Sequence, residues 1–454
     1  MTMKSINPFT TKQIATYNEF SIQEIKETIE VLHFGFLEWR EKKLNDRCLI
    51  NSRLAVLLTE NKEQLATLIT SEMGKPIAES MAEIEKCAWL CRHYSDPVAL
   101  GIEPITIKTD ASQSTVRFEP LGVIFAIMPW NFPFWQVFRF AVPGISAGNT
   151  VILKHAQNVT GCAMAIEQLF EQAMPGYQVF KSVILPASRT EEIISHPYVK
   201  GVTITGSERA GKEVAGMAGK HLKKVVLELG GIDPLIVFGD ADLKKCCVAA
   251  LKSRMLNAGQ VCIAAKRFIV HSSVYNQFIE EMILEISKLK TGDPMEPETN
   301  IGPLARPEFV DEIETKVNKS VEMGAKIVIG GKRSEVHPGI YLPTILTEIQ
   351  ENMPVFCEET FGPVGVVIPF STDEEAIKIA NNTRFGLGAS IWTTDIEKAK
   401  RVSVKIESGC VFINSMVKSD PRLPFGGIKN SGFGRELTTF GVHEFMNIKT
   451  EWID

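Results

Sequence analysis

The 454 residues are 44% hydrophobic, 8% aromatic and 23% charged, ordinary proportions for a globular chain that exclude a disordered, collagenous or coiled-coil protein. Forty-nine Lys and Arg against 54 Asp and Glu leave a net charge of −5, and no long basic run suits the chain to nucleic acid or an anionic membrane. The nine cysteines are scattered, with neither a Cys-x-x-Cys pair nor a zinc-binding His-Glu-x-x-His, so reduced thiols, no metal and a cytoplasmic setting are expected.

Met1 to Tyr17 is mixed and polar, unlike a secretory signal. Ser21 with Glu24 forms a capping box, and Ile25, Ile29, Leu32, Phe36 and Trp39 follow at helical spacing, so residues 21–100 read as helices, broken at Gly74-Lys75-Pro76. Ile105–Ile107 and Thr115–Phe118 read as a hairpin whose edges need a partner. Pro120 to Phe138 carries no charge over 19 residues, yet three prolines, Asn131 and Gln136 interrupt it. A buried strand, a turn and a helix fit it better than a membrane span. Strands and helices then alternate. Apolar runs at Val123–Ile127, Thr150–Leu153, Ser182–Leu185, Val202–Ile204, Val225–Leu229 and Leu235–Phe238 are interleaved with helical segments such as Ala156–Met174 and Glu208–His221. A second alternation takes helices at Leu243–Leu256 and Val274–Leu289, with strands at Arg267–Val270, Ile327–Ile329, Val364–Pro369 and Cys410–Ile413. The pattern predicts two doubly wound α/β domains.

Six segments carry chemistry. Gly206-Ser207 through Gly211-Lys212 follows a strand and opens a helix, where free N–H groups can meet an anion. It is nearly a nucleotide-triphosphate loop, but Glu213 stands where the magnesium ligand would, which argues against an ATPase or GTPase. Asn257-Ala-Gly-Gln-Val-Cys262 offers a thiol that is either a nucleophile or a buried small hydrophobe. Glu228 ends an apolar strand before two glycines, where desolvation would raise its pKa and suit it to general-base work, although a Glu there can also be a plain cap. Asn131, in Pro-Trp-Asn-Phe-Pro, is an amide in a stiff turn able to donate to an oxyanion. Glu358-Glu-Thr-Phe361-Gly-Pro363 and the glycine-rich run Leu423 to Glu436 complete the set.

In this order and spacing the motifs resemble the NAD(P)-dependent aldehyde dehydrogenase superfamily, from Asn7-Pro8 to the tail. The resemblance implies Cys262 as nucleophile, Asn131 and the Cys262 N–H as oxyanion donors, and Glu228 as the base that activates water on a thioester. It implies a cofactor, NAD or NADP, held by Trp130, Lys154, Gln157, Gly206, Ser207, Gly211, Glu359 and Phe361. It also implies a cofactor domain (1–104 and 120–229), a catalytic domain (230–428) and an oligomerisation arm (105–119 and 435–454) that builds a homodimer or homotetramer. Glu228 argues against a coenzyme A-acylating relative, and the triad Cys262, Glu228 and Asn131 against a silent structural one. The run Lys154-His-Ala-Gln157 and the Ser419-Asp-Pro-Arg422 loop resemble one bacterial group of succinate-semialdehyde dehydrogenases. Arg139, eight residues after Asn131, is then expected to clamp the substrate carboxylate, with Ser419 or Arg422 in place of a second arginine that is Leu256 here. The plain alternative for Arg139 is a salt bridge to a distant carboxylate.

Overall fold

The computed structural model describes residues 2–454. A six-stranded sheet runs in the order 432–433, 224–228, 199–205, 123–128, 150–155, 180–182, parallel except for the short first strand. The strand 123–128 shows why it sits at the centre. Its side chains alternate between two apolar cores, Val123 and Phe125 facing one, Ile124, Ala126 and Met128 the other, as the two-residue strand period requires. The first core is closed by helix Ile22–Trp39 through Ile25, Ile29 and Leu32. The second is closed by helices 44–60, 62–73, 77–93, 135–146 and 160–173. Both halves of the expected capping box form, Glu24 N–H to Ser21 Oγ at 3.2 Å and Ser21 N–H to Glu24 Oε2 at 2.7 Å.

A seven-stranded sheet, ordered 326–329, 344–347, 364–370, 265–271, 233–237, 388–392, 410–413, is parallel except at its first strand. Here too Leu235 and Val237 face one core and Ile236 the other. Two of its strands escape the hydrophobic pattern. Thr344–Thr347 is too short to show a period, and Gly388–Trp392 opens with small residues because Asp233 and Val417 crowd Gly388. The N-terminal segment also forms an unforeseen hairpin, Thr2–Ile6 against Gln13–Asn18, and the strand expected at Ser182–Leu185 lies at Phe180–Ser182 instead.

The arm is a three-stranded antiparallel sheet. Gln113–Pro120 is its middle strand, paired with Ile105–Thr106 on one side and with the tail, Met446–Ile453, on the other. One of the two hairpin edges expected to need a partner is therefore covered by the chain's own last strand, over eight residue pairs, while Ile105–Thr106 remains at the sheet edge. No helix among the described residues is long and apolar enough to cross a membrane.

Candidate active site

In the six-stranded sheet the chain winds from strand 123–128 outward to 180–182, then returns to continue on the other side from 199–205. Ligands bind at such a switch point, beyond the carboxyl ends of the strands. The segments leaving these two ends, Pro129-Trp-Asn131 and Thr205-Gly-Ser207, line a cleft of about 950 Å³ that also exposes Cys262, Glu359 and Phe361.

The Asn131 turn is held from three sides. His155 Nε2 donates to Pro133 O at 2.9 Å while its Nδ1 accepts from Ala156 N–H; burial pulls its pKa down to about 4, so the ring is neutral. Glu83 Oε1 accepts the N–H groups of Phe134 (2.8 Å) and Trp135 (2.9 Å) at the start of helix 135–146, where a negative charge is favoured. Asn131 O accepts from Asn257 Nδ2 at 2.9 Å, and Asn131 Nδ2 donates to Gln260 O at 3.0 Å. An amide has two N–H donors, so one fixes the side chain and the other remains for the cleft.

The nucleophile loop is strained. Asn257 (φ 52°), Ala258 (φ 51°) and Gly259 (φ 76°) are all left-handed, a conformation non-glycine residues adopt at a cost of about 1 kcal/mol or more each. The surroundings over-determine it. Glu79 accepts from Asn257 N–H at 2.7 Å, Gln260 Nε2 donates to Asn257 O at 3.0 Å, and Gln260 Oε1 accepts from Ala305 N–H at 3.0 Å. Arg254 ties the loop to Gly362 O at 2.6 Å. Lys266, buried beneath, donates to Cys262 O at 2.8 Å and pairs with Glu359 at 3.5 Å. Burial drives the Cys262 thiol up to about 12, with Arg139 and then Lys266 pulling the other way.

The cofactor turn has the features a dinucleotide needs. Ser207 caps helix 208–220, accepting from Ala210 N–H at 3.3 Å. Gly211 packs against Leu229 so closely that a Cβ would lie 2.5 Å from its methyls, as close helix–strand packing beside a pyrophosphate site requires. Lys212 lies inside this helix and pairs with Glu208, which is not the geometry of a triphosphate loop. Trp130 stacks on Phe309 at 5.1 Å and meets the Phe361 ring edge-on at 5.8 Å. Glu359 accepts from Gly231 N–H at 3.1 Å. Lys154 ends strand 150–155, beside Ile127, with no hydrogen bond or ion pair among the described residues, and Gln157 is exposed in the next turn. Neither borders the cleft itself. Arg209, Lys212, Lys316 and Arg384 do; apart from Lys212, no motif marked them, since lone basic residues read as solvated.

Glu228 is 2% exposed, and its carboxyl lies against Gly426 rather than in the cleft. Burial, then the nearby charge of Glu436, holds its pKa well above the usual carboxylate range, against the pull of Arg139 and Arg435. Arg139 departs from expectation. Its guanidinium is 2% exposed, paired with Glu436, donating to Thr205 Oγ1 at 3.2 Å and seated over the Phe425 ring. The salt-bridge alternative is the one realised, because a buried cation needs a buried counter-charge. Arg422 is likewise committed, to Asp420 at 2.8 Å. Ser419 is buried and accepts from Lys86 Nζ at 2.9 Å.

A helix start open to an anion and a cysteine thiol thus face one cleft. The sequence model of the Aldehyde dehydrogenase family matches residues 1–451. A probable NADP(+) succinate-semialdehyde dehydrogenase from Synechocystis is 44% identical, with all of both chains covered. An NAD(P)+ succinate semialdehyde dehydrogenase from Escherichia coli is 42% identical over 99% of this chain and 97% of that one. The crystal structure of succinic semialdehyde dehydrogenase from Streptococcus pyogenes with NADP+ superposes with a TM-score of 0.96, at 36% identity and 99% coverage of each chain. The chain belongs to the aldehyde dehydrogenase family.

Proposed function

We propose that the enzyme oxidises succinate semialdehyde to succinate with NADP or NAD, using Cys262, Asn131 and Glu228. The observation that carries this is the shared cleft, in which the thiol, the Asn131 amide and the Gly206-Ser207 helix start meet. Cys262 Sγ attacks the aldehyde carbon, and the oxygen that becomes negative is stabilised by the free Asn131 N–H and the Cys262 backbone N–H. A sulfur whose proton is held this tightly must pass it to solvent in the cleft as it attacks, and the charges of Arg139 and Lys266 favour that loss. A nicotinamide bound in the cleft would supply the hydride acceptor, and loss of hydride from the carbon on Cys262 would leave a thioester on that sulfur. Glu228 then takes a proton from the water that releases the acid. The cofactor would be held by the cleft residues Trp130, Gly206, Ser207, Glu359 and Phe361, with the Ser207 helix start suited to the pyrophosphate and Glu359 to a ribose, and by Lys154 and Gln157 just outside the cleft. The similarity to relatives named for succinate semialdehyde supports the substrate. Nine unpaired cysteines suit a reducing cytoplasm. The arm's exposed Ile105, Ile448 and Trp452 suit burial against another subunit, in a dimer or tetramer of the two domains described.

An aldehyde panel assayed with each cofactor tests this reading: succinate semialdehyde should be preferred over butanal, and the reverse preference refutes it. Gln157 bears on cofactor choice. A neutral amide near a 2′-phosphate spares it a like-charge repulsion worth roughly 1 kcal/mol when partly solvated. Gln157→Glu should therefore lower kcat/KM with NADP relative to NAD by about five- to tenfold; an unchanged ratio places the adenosine ribose elsewhere.

A further inference from the structure

Just after the nucleophile loop, at the start of strand 265–271, the register of the seven-stranded sheet slips. Asp233 pairs with Ala265 and Pro234 with Arg267, so Lys266 is one residue more than the neighbouring strand can match. A bulge of this kind re-aims a side chain. The two adjacent buried cations then take different work. The Arg267 guanidinium donates to the carbonyls of Ile232, Ile379, Ala380 and Asn382, none of which borders the cleft, and so braces its own domain. Lys266 turns back to the loop it follows, and its Nζ donates to Cys262 O at 2.8 Å and to Val261 O at 3.1 Å.

Those two carbonyls flank the nucleophile. Val261 O shares a peptide plane with the Cys262 N–H, and in a trans peptide the two groups point to opposite sides. Fixing the oxygen on Lys266 therefore fixes the N–H away from Lys266. Among the described residues nothing accepts from that N–H, so the donor is held in direction and left unspent.

An ammonium only 2% exposed needs a counter-charge. Glu359 Oε1 supplies it at 3.5 Å, while also accepting from Gly231 N–H. Asp233, lifted to about 7 by burial, adds a second carboxyl nearby. Arg254 opposes the Lys266 charge but has its own acceptors in Gly259 O and Gly362 O, and Arg139 is matched by Glu436.

We propose that Lys266 is a positioning residue for the oxyanion step: by holding the carbonyls on both sides of the Cys262 α-carbon, it presents the Cys262 N–H to the oxygen that becomes negative. The inference rests on the reading of Cys262 as the nucleophile. Glu359, which borders the cleft, keeps the ammonium charged in its buried place.

The test uses the full-length enzyme carrying Lys266→Met, which keeps the apolar stem and removes donors and charge. Aldehyde addition and thioester hydrolysis both pass through that oxyanion, so kcat should fall roughly 10²- to 10³-fold, the worth of one oxyanion donor. KM for aldehyde and for NADP should be nearly kept. The loss should be the same on succinate semialdehyde and on butanal, which share the aldehyde group. Without cofactor, iodoacetamide should alkylate Cys262 more slowly at each pH, because the Lys266 charge pulls the thiol's pKa down. Lys266→Arg should restore the alkylation rate and part of kcat. Lys266→Gln, with a donor and no charge, should keep more of kcat than of the alkylation rate, and it serves where the methionine variant does not fold. An unchanged kcat, or a loss confined to KM or to one aldehyde, overturns the positioning role. So does a kcat loss that tracks a fall in Tm and in NADP affinity, the mark of a brace alone. Substantial turnover by Cys262→Ala instead removes the nucleophile on which the inference rests, so the two failures are distinct.

Discussion

Cys262→Ala is expected to leave aldehyde oxidation at least about 10⁴-fold below wild type, the scale of losing a covalent nucleophile. Three features of the site make this residue irreplaceable. It borders the cleft, its carbonyl is tied to Lys266, and the loop before it is held in a left-handed run by Glu79, Gln260 and Arg254. Cys410 is half-buried like Cys262, but it lies on the edge strand of the seven-stranded sheet, its thiol against Leu387 O. Cys410→Ala should retain most of the activity. Substantial turnover by Cys262→Ala, measured as reduced nicotinamide formed with succinate semialdehyde, would remove the thioester from the mechanism. The same thiol sets a pH dependence in the enzyme without cofactor. With its pKa raised to about 12, the thiolate is a small fraction at pH 7 and grows with every unit of alkalinity. Alkylation of the Cys262 peptide by iodoacetamide should keep rising through pH 10, and a plateau near pH 8 would contradict the burial argument.

What the sequence made legible was local. The capping box at Ser21, the alternating strand 123–128 and the helix opening at Ser207 each depend on neighbours a few residues away. The Pro-Trp-Asn-Phe-Pro and Gly-Gln-x-Cys motifs were legible as residue types in tight turns, but the groups that hold those turns, Glu83, Glu79 and Arg254 among them, come from other elements. What stayed hidden depends on pairing across the chain. Arg139 announces a charge among aromatics, but nothing near it names Glu436 as its partner. Lys86 sits on a helix with Glu83 and Glu85, the pattern of a solvated face, and only the fold brings Ser419 and Trp135 to it. The family resemblance alone ties the tail strand to 105–119; no residue of its own names 113–120 as its partner.

Glu228→Gln should separate the two halves of the reaction. The wild-type carboxyl is buried beside Glu436, with Oε1 unpartnered, and its pKa is held high. Burial there disfavours the charged carboxylate, so its work as a base belongs nearer the cleft, where the charge is better solvated. Hydride removal needs the Cys262 sulfur and the oxyanion donors, whereas hydrolysis of the thioester needs a base for water. The variant should thus complete its first turnover, seen by stopped flow as about one reduced nicotinamide per subunit, and then slow about 10²- to 10⁴-fold, the usual worth of a general base. Folding should not suffer, because the amide is isosteric and carries no charge to repel Glu436. Hydroxylamine, which attacks a thioester without help from a base, should restore turnover and yield a hydroxamate. If the first turnover were lost as well, Glu228 would be acting on the Cys262 thiol before hydride transfer. If the steady rate were unchanged, the water would be activated by another group.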